Sequence, residues 1–166
     1  MFSVIFPGQG SQIVGMGKEF YDKFELVKSL FKEADETFNY SISKLILEGP
    51  KEELDLTANT QPAIFLTSYS IFNVAKKEFG VNFDKAQYIA GHSLGEYSAL
   101  CCFGALEFED TLKILKKRGR SMQEAVPANE GSMLAVLGSQ LKVIEDLIKN
   151  NAHDCFIANN NSPQQV

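Results

Sequence analysis

One stretch constrains the fold of this chain more than any other, and it contains a serine flanked by glycines. The stretch is Ala90-Gly91-His92-Ser93-Leu94-Gly95-Glu96. A short apolar run, residues 87–90, precedes this segment, and a helix-like run, residues 94–102, follows it. Strand, Gly-x-Ser-x-Gly and helix in this order predict a nucleophile elbow. The turn leaves no room for a Cβ at the two glycines, and it places the serine hydroxyl at a helix N-terminus, where backbone N–H groups can stabilise an oxyanion.

The pattern also has an ordinary structural explanation. In a chain of this length, Gly-x-Ser-x-Gly arises by chance in about one case in twenty. Ser93 would then be an N-cap residue in a glycine-flanked turn, with no chemistry attached. The local sequence leaves both hypotheses open.

Composition limits the class of protein. The 166 residues allow about one domain, and 45% hydrophobic with 22% charged residues is an ordinary globular composition. The net charge of −5 argues against general nucleic-acid binding. No apolar run approaches the ~18 residues of a membrane span, and the first residues do not form a signal peptide. The three cysteines lack metal-ligand spacing, so we expect no metal site but reduced, buried thiols in a cytosolic protein; they are Cys101, Cys102 and Cys155.

The pattern of apolar residues before the elbow predicts one strand and several helices. Residues 2–6 form an apolar run, predicted to be a buried strand, and a Gly8-Gln9-Gly10 loop follows. Ile13 stands where a dinucleotide-binding loop would need glycine, which excludes that motif. The apolar spacing predicts one amphipathic helix over residues 20–38. It also predicts short helices over residues 42–48 and from Pro50 onward, and a long, centrally buried helix over residues 60–79.

After the elbow the pattern changes. A helix with acidic residues at its start carries a basic cluster, for which a solvated helix face is the default interpretation: Lys113, Lys116, Lys117, Arg118 and Arg120. Residues 131–137, 140–149 and 155–158 are predicted to form a strand, a helix and a strand, with a turn at 159–163. We therefore divide the chain into a larger part, residues 1–126, and the start of a smaller one, residues 127–166.

A nucleophilic serine needs a base to take its proton. His92 adjoins Ser93 in a tight turn, so its side chain should diverge from the serine. His153 stands among polar residues that predict a solvated loop. From these residues alone the nucleophile is visible and its base is not.

Five ordered motifs together resemble one family. They are Phe6-Pro7-Gly8-Gln9-Gly10-Ser11-Gln12, Thr60-Gln61-Pro62-Ala63, the elbow with Tyr97-Ser98-Ala99-Leu100, Arg118-Gly119 with Met122-Gln123-Glu124-Ala125-Val126-Pro127, and Asn161-Ser162-Pro163. In this order they resemble the malonyl-CoA:acyl-carrier-protein transacylase family of bacterial type II fatty acid synthesis. The resemblance covers essentially the whole chain and favours the elbow over the simple turn.

The resemblance implies a role for individual residues. Ser93 matches the nucleophile that carries the malonyl ester, and Gln9 with the backbone N–H of Leu94 matches the oxyanion hole. Arg118 matches the arginine that binds the malonyl carboxylate, which suits a planar guanidinium better than a lysine. Gln61 and His92 are candidate substrate-binding positions, although Gln61, like Glu96, could equally support the geometry of the site.

The resemblance also implies a fold and a reaction. The fold would be α/β: an α/β-hydrolase-like subdomain with a parallel sheet, joined to the first half of a ferredoxin-like subdomain. Malonyl would pass from malonyl-CoA, the substrate, to acyl carrier protein in the cytoplasm, with no cofactor, nucleic acid or membrane involved. The family's general base is a histidine that would follow residue 166, so we expect a fragment with little turnover of its own.

Three alternatives remain at this point. A serine hydrolase would share the elbow but would not explain Gln9 or Arg118. An acyltransferase domain of the polyketide synthase type would share most of the motifs. A non-catalytic fragment that binds carrier protein would use the same surface without the chemistry.

Overall fold

The computed structural model describes residues 1–126, 130–151 and 154–166. The chain divides into two compact units, Met1–Pro127 and Ala128–Val166, which are described separately below. The predicted assignment of these parts to a hydrolase-like and a ferredoxin-like subdomain stays a prediction.

Two parallel strands, β1 (Phe2–Phe6) and β2 (Ala86–Gly91), carry the loops of the candidate site. Their register pairs Phe6 with Gly91, so the segments that follow the two strands leave the sheet at the same end. The prediction that β1 is buried is wrong except at its end: Phe6 is 5% exposed, whereas Ile5 is 75% exposed. Successive side chains of a strand point to opposite faces, and the helices cover only the face that carries Val4 and Phe6.

The crossover between the two parallel strands is helical, as such connections usually are. It contains α1 (Lys18–Lys23), α2 (Glu25–Phe38), α3 (Ile42–Glu48), α4 (Lys51–Leu54), α5 (Thr57–Lys77) and a 3-10 turn (Phe83–Lys85). The single helix predicted over residues 20–38 is broken at Phe24, which is extended at φ −120° and ψ 118°. The Phe24 ring packs edge-on against Phe79, a tertiary contact that the helical spacing cannot reveal.

The helix α5 is central and buried, as predicted. Its Ala63, Phe65, Leu66 and Val74 are fully buried. The helix begins at Thr57 instead of Thr60, so Pro62 lies inside it. After β2 come α6 (Gly95–Cys102) and α7 (Phe108–Ala125), and α7 packs along α5. The parallel sheet with its covering helices confirms the α/β class.

The second unit contains the predicted helix, α8 (Leu141–Asn151), but its described residues do not form the two predicted strands. Instead, Val136 and Val166 exchange both backbone hydrogen bonds, and Gly138 N–H donates to the Gln164 carbonyl. A strand needs a neighbour to satisfy its backbone groups, and here residues 136–138 find an antiparallel one instead of the parallel partner that a β-α-β unit implies. The predicted turn forms at Ser162, whose carbonyl accepts from Gln165 N–H.

Among the described residues, no helix is both long enough and apolar enough to cross a membrane.

Candidate active site around Ser93

The segment between β2 and α6 has the geometry of a nucleophile elbow. Ser93 has φ 54°, a left-handed conformation that a residue with a Cβ rarely adopts. A Cβ on Gly91 would lie 2.0 Å from the Gly95 carbonyl carbon, and one on Gly95 would lie 2.5 Å from the Phe6 carbonyl oxygen. The two glycines are therefore required by close backbone approach, as the sequence predicted.

The N-cap explanation of the serine is wrong. The helix α6 has Leu94 at its N-cap, and no side chain caps its first turn. The Ser93 side chain is instead exposed. Its Oγ accepts a hydrogen bond from Arg118 Nη2 at 3.1 Å.

The backbone of the first turn of α6 leaves one donor available beside Ser93. Gly95 N–H donates to the His92 carbonyl and Glu96 N–H to the Ser93 carbonyl. Among the described residues, no backbone carbonyl accepts a hydrogen bond from the Leu94 N–H. The Leu94 side chain is fully buried and anchors this N–H at the positive end of the helix dipole.

The loop after β1 lies against the elbow. A Cβ on Gly8 would lie 2.4 Å from His92 Nδ1, so glycine permits the contact between the two loops. His92 N–H donates to the Phe6 carbonyl at 3.0 Å. Gln9 stands next in this loop and is exposed; its Nε2 donates to Thr57 Oγ1 at 3.3 Å. The loop thus comes to the elbow, while the Gln9 amide is engaged with the start of α5.

The side chain of Arg118 joins three elements. Its Nη1 donates to Gln61 Oε1 on α5 at 2.7 Å, and its Nη2 reaches Ser93 Oγ. The guanidinium carbon lies 5.8 Å from the centre of the Tyr97 ring on α6. Gln61 is fully buried, and its Nε2 donates to Met122 Sδ at 3.2 Å. A thioether can only accept, so the amide oxygen of Gln61 must face Arg118.

The structure therefore brings Ser93, Arg118 and Gln61 into one hydrogen-bonded row. It also adds three residues for which the motifs predict no role: Thr57, Tyr97 and Met122. Met122 stands four residues after Arg118 within α7, a spacing that puts the two side chains on the same face of the helix. That spacing is the signal that could have found Met122.

No base for Ser93 follows from the described residues. The guanidinium that contacts Oγ has no acceptor capacity and cannot take a proton. His92 is exposed and lies against Gly8. The other histidine, His153, lies outside the described residues, so the solvated loop predicted around it stays a prediction.

The thiols are reduced but not all buried. Cys101 and Cys102 are buried and free, whereas Cys155 is exposed, which corrects the prediction for that residue. Burial raises the pKa of the Cys101 thiol to about 11 and raises that of Cys102 further, because the interior disfavours a thiolate. These two thiols are therefore poor nucleophiles. Within the described ranges, no cluster of three His, Cys, Asp or Glu residues could hold a metal ion.

Comparison with known proteins gives a consistent result. The family model of the acyl transferase domain matches residues 3–166. A malonyl CoA-acyl carrier protein transacylase of Bacillus subtilis is 48% identical over 165 residues, which are 98% of this chain and 51% of that protein. An acyl-carrier-protein S-malonyltransferase from Bartonella henselae, of known crystal structure, has a TM-score of 0.91 at 42% identity, over 99% of this chain and 54% of that one.

A second similar structure is a type II polyketide synthase acyl-carrier protein in complex with its malonyl-transacylase. It has a TM-score of 0.89 at 38% identity, over 99% of this chain and 53% of that one. The chain thus spans about half the length of the relatives that it matches.

Proposed function

This chain belongs to the acyl transferase domain family, and from that premise we propose that its protein transfers a malonyl group from malonyl-CoA to the phosphopantetheine thiol of an acyl carrier protein, through an ester on Ser93. The similar proteins from Bacillus subtilis and Bartonella henselae are named for this transfer, which supports the proposal.

One observation carries the choice of substrate. The guanidinium of Arg118 lies on Ser93 Oγ and is held from its other side by Gln61. A cation fixed beside a nucleophile suits an acyl group that ends in a carboxylate, because guanidinium and carboxylate form two parallel, charge-assisted hydrogen bonds. Acetyl or a longer neutral acyl group would leave this cation without an anionic partner.

In the proposed reaction Ser93 Oγ attacks the thioester carbonyl while its proton passes to a base. The oxyanion of the tetrahedral intermediate accepts from the Leu94 N–H and from Gln9, whose amide would turn from Thr57. The intermediate collapses, the C–S bond breaks, and coenzyme A leaves as a thiol with the proton. The carrier thiol then attacks the serine ester in the same way, which is ping-pong chemistry.

The remaining roles are part of the same proposal. Gln61 holds Arg118, and His92, where the two loops meet, borders the acyl group. The base is the histidine that the resemblance implies after residue 166. The solved complex with a polyketide carrier protein supports a carrier protein as the acceptor. We also propose a cytoplasmic location, to which the free thiols are suited, and a reaction without a cofactor.

The test is acylation by radioactive malonyl-CoA of the protein that carries this chain. We expect a base-labile label on Ser93 that disappears in Ser93→Ala. A label retained in that variant would refute the serine ester. Fast hydrolysis of simple nitrophenyl esters without transfer to carrier protein would favour a serine hydrolase instead.

Substrate choice is tested separately with Arg118→Ala. Loss of a hydrogen-bonded charge pair should lower malonyl transfer by up to about 10²-fold, since such bonds contribute up to ~3 kcal/mol. Acetyl transfer should be unchanged or higher. Equal losses for the two acyl groups would contradict carboxylate recognition by Arg118.

A further inference from the structure

A second group of cations lies on α7, away from the candidate active site. Phe38 on α2 and four residues of α7 line a hollow of about 310 Å³, called the basic hollow below: Lys113, Lys116, Lys117 and Arg120. The other three cations follow Lys113 by three, four and seven residues, which puts all four on one face of the helix. Arg120 is roughly 160° around the helix from Arg118. The basic hollow is therefore separate from the guanidinium that contacts Ser93.

Lys116 is held in a fixed position at this hollow. Its Nζ donates to Tyr40 OH at 2.9 Å and to Asn59 Oδ1 at 2.8 Å. The same nitrogen lies 4.6 Å from the centre of the Tyr40 ring and 5.8 Å from that of Phe38, and the two rings stack at 5.6 Å. An ammonium group with three such partners has lost much of the freedom of a surface lysine. A ligand would therefore meet a cation that is already ordered.

Among the described residues, only one of the four cations of the hollow pairs with a carboxylate. Lys113 pairs with Glu109 at 2.5 Å, but no carboxylate of the described residues lies within 4.0 Å of the cationic nitrogens of Lys116, Lys117 or Arg120. Burial, and then the charge of Arg120, lower the pKa of Lys116. This excess of cations stands in a chain whose net charge is −5. Like charges brought together repel one another, and binding of an anion would relieve that repulsion.

The shape and chemistry of the hollow indicate the class of anion. Its volume of about 310 Å³ lies at the lower end of the range of small-molecule sites. Several cations around one small space suit a multiply charged tetrahedral oxyanion better than a single carboxylate. The Arg120 fork can hold two oxygens, and the lysines supply point charges. Phe38 adds an apolar wall beside the charged groups.

We propose that the basic hollow of Lys113, Lys116, Lys117, Arg120 and Phe38 is a binding site for the phosphate group of a small phosphorylated ligand. The site is distinct from the malonyl site of the proposed function and does not depend on it. Its phosphate could be free or part of a nucleotide, and both sources are included in the test.

The experiment is calorimetric titration of the protein that carries this chain with inorganic phosphate and with adenosine 3′,5′-bisphosphate at constant ionic strength. We expect saturable binding with a Kd of about 1 mM or below. Tighter binding of the bisphosphate assigns the site to a nucleotide, and equal binding assigns it to phosphate alone. Absence of saturation with both probes, or equal binding of malonate, would overturn the proposal.

The variant Lys117→Ala/Arg120→Ala removes two exposed cations of the hollow and should weaken binding about 10-fold or more, since each charge-assisted bond contributes ~1.5–3 kcal/mol. The matched control is Lys76→Ala/Lys77→Ala on α5, which removes the same charge from exposed positions outside the hollow. Equal Kd values for the two variants would show that only net charge matters and would refute a built site.

Discussion

Gly119, next to Arg118, fixes how closely α7 approaches α5. A Cβ at this buried position would lie 2.6 Å from Ala58 Cα and 2.6 Å from the Thr57 carbonyl oxygen. Carbon atoms pack at 3.5–4.0 Å, so Gly119→Ala must separate the two helices by about 1 Å. Alanine gains about 1 kcal/mol of helix propensity over glycine, whereas overpacking against backbone costs about 1–3 kcal/mol. Because both contacts are backbone atoms that cannot rotate away, we expect a net loss of about 1–2 kcal/mol.

Urea unfolding and thermal melting measure this difference. A loss of that size should lower Tm by about 2–8 °C in a chain of this length. The control is Ser121→Ala, an exposed position on the same helix, which should be neutral or slightly stabilising. If Gly119→Ala proved as stable as the parent, the gain in helix propensity would offset the cost of the steric contact with α5. That result would refute the conclusion that this glycine sets the spacing of the two helices.

Two further predictions concern the elbow and the thiols. Gly91→Ala should abolish folding of the elbow, because its Cβ would lie 2.0 Å from backbone at Gly95; a native-like circular dichroism spectrum and Tm would contradict this. Iodoacetamide at pH 8 should modify only the exposed Cys155 of the native chain, because the pKa of Cys101 is raised to about 11 and that of Cys102 further still. Peptide mapping would refute this if Cys101 or Cys102 were alkylated before unfolding.

The elbow could be predicted from the sequence because its requirements are local. Gly91, Ser93 and Gly95 lie within five residues, and each is determined by the same turn. The break at Phe24 could not be predicted, since no glycine or proline marks it and the cause is packing. The strand predicted at residues 131–137 failed for a related reason: an apolar run predicts a strand, but only the available neighbour decides whether a ladder forms.

The site was predicted in part. Arg118 and Gln61 were identified by resemblance alone, and within the basic cluster nothing local distinguishes Arg118 from its neighbours. The contact that distinguishes it depends on the packing of α7 on α5, which sets Gln61 beside a residue 57 positions away. The Thr57 partner of Gln9 depends on the position of the loop after β1 at the start of α5 and was not predicted.

The two hydrogen bonds of Arg118 differ in how readily they can be exchanged. The bond to Gln61 involves a fully buried amide, and breaking it would leave a polar group unsatisfied at about 1–3 kcal/mol. The bond to Ser93 involves an exposed hydroxyl that water can replace at little cost. We therefore expect an incoming carboxylate to displace Ser93 from Nη2 while Gln61 keeps Nη1 in place. The same event would free the serine oxygen from a donor that lowers its nucleophilicity, so binding of the acid group and release of the nucleophile would be one step.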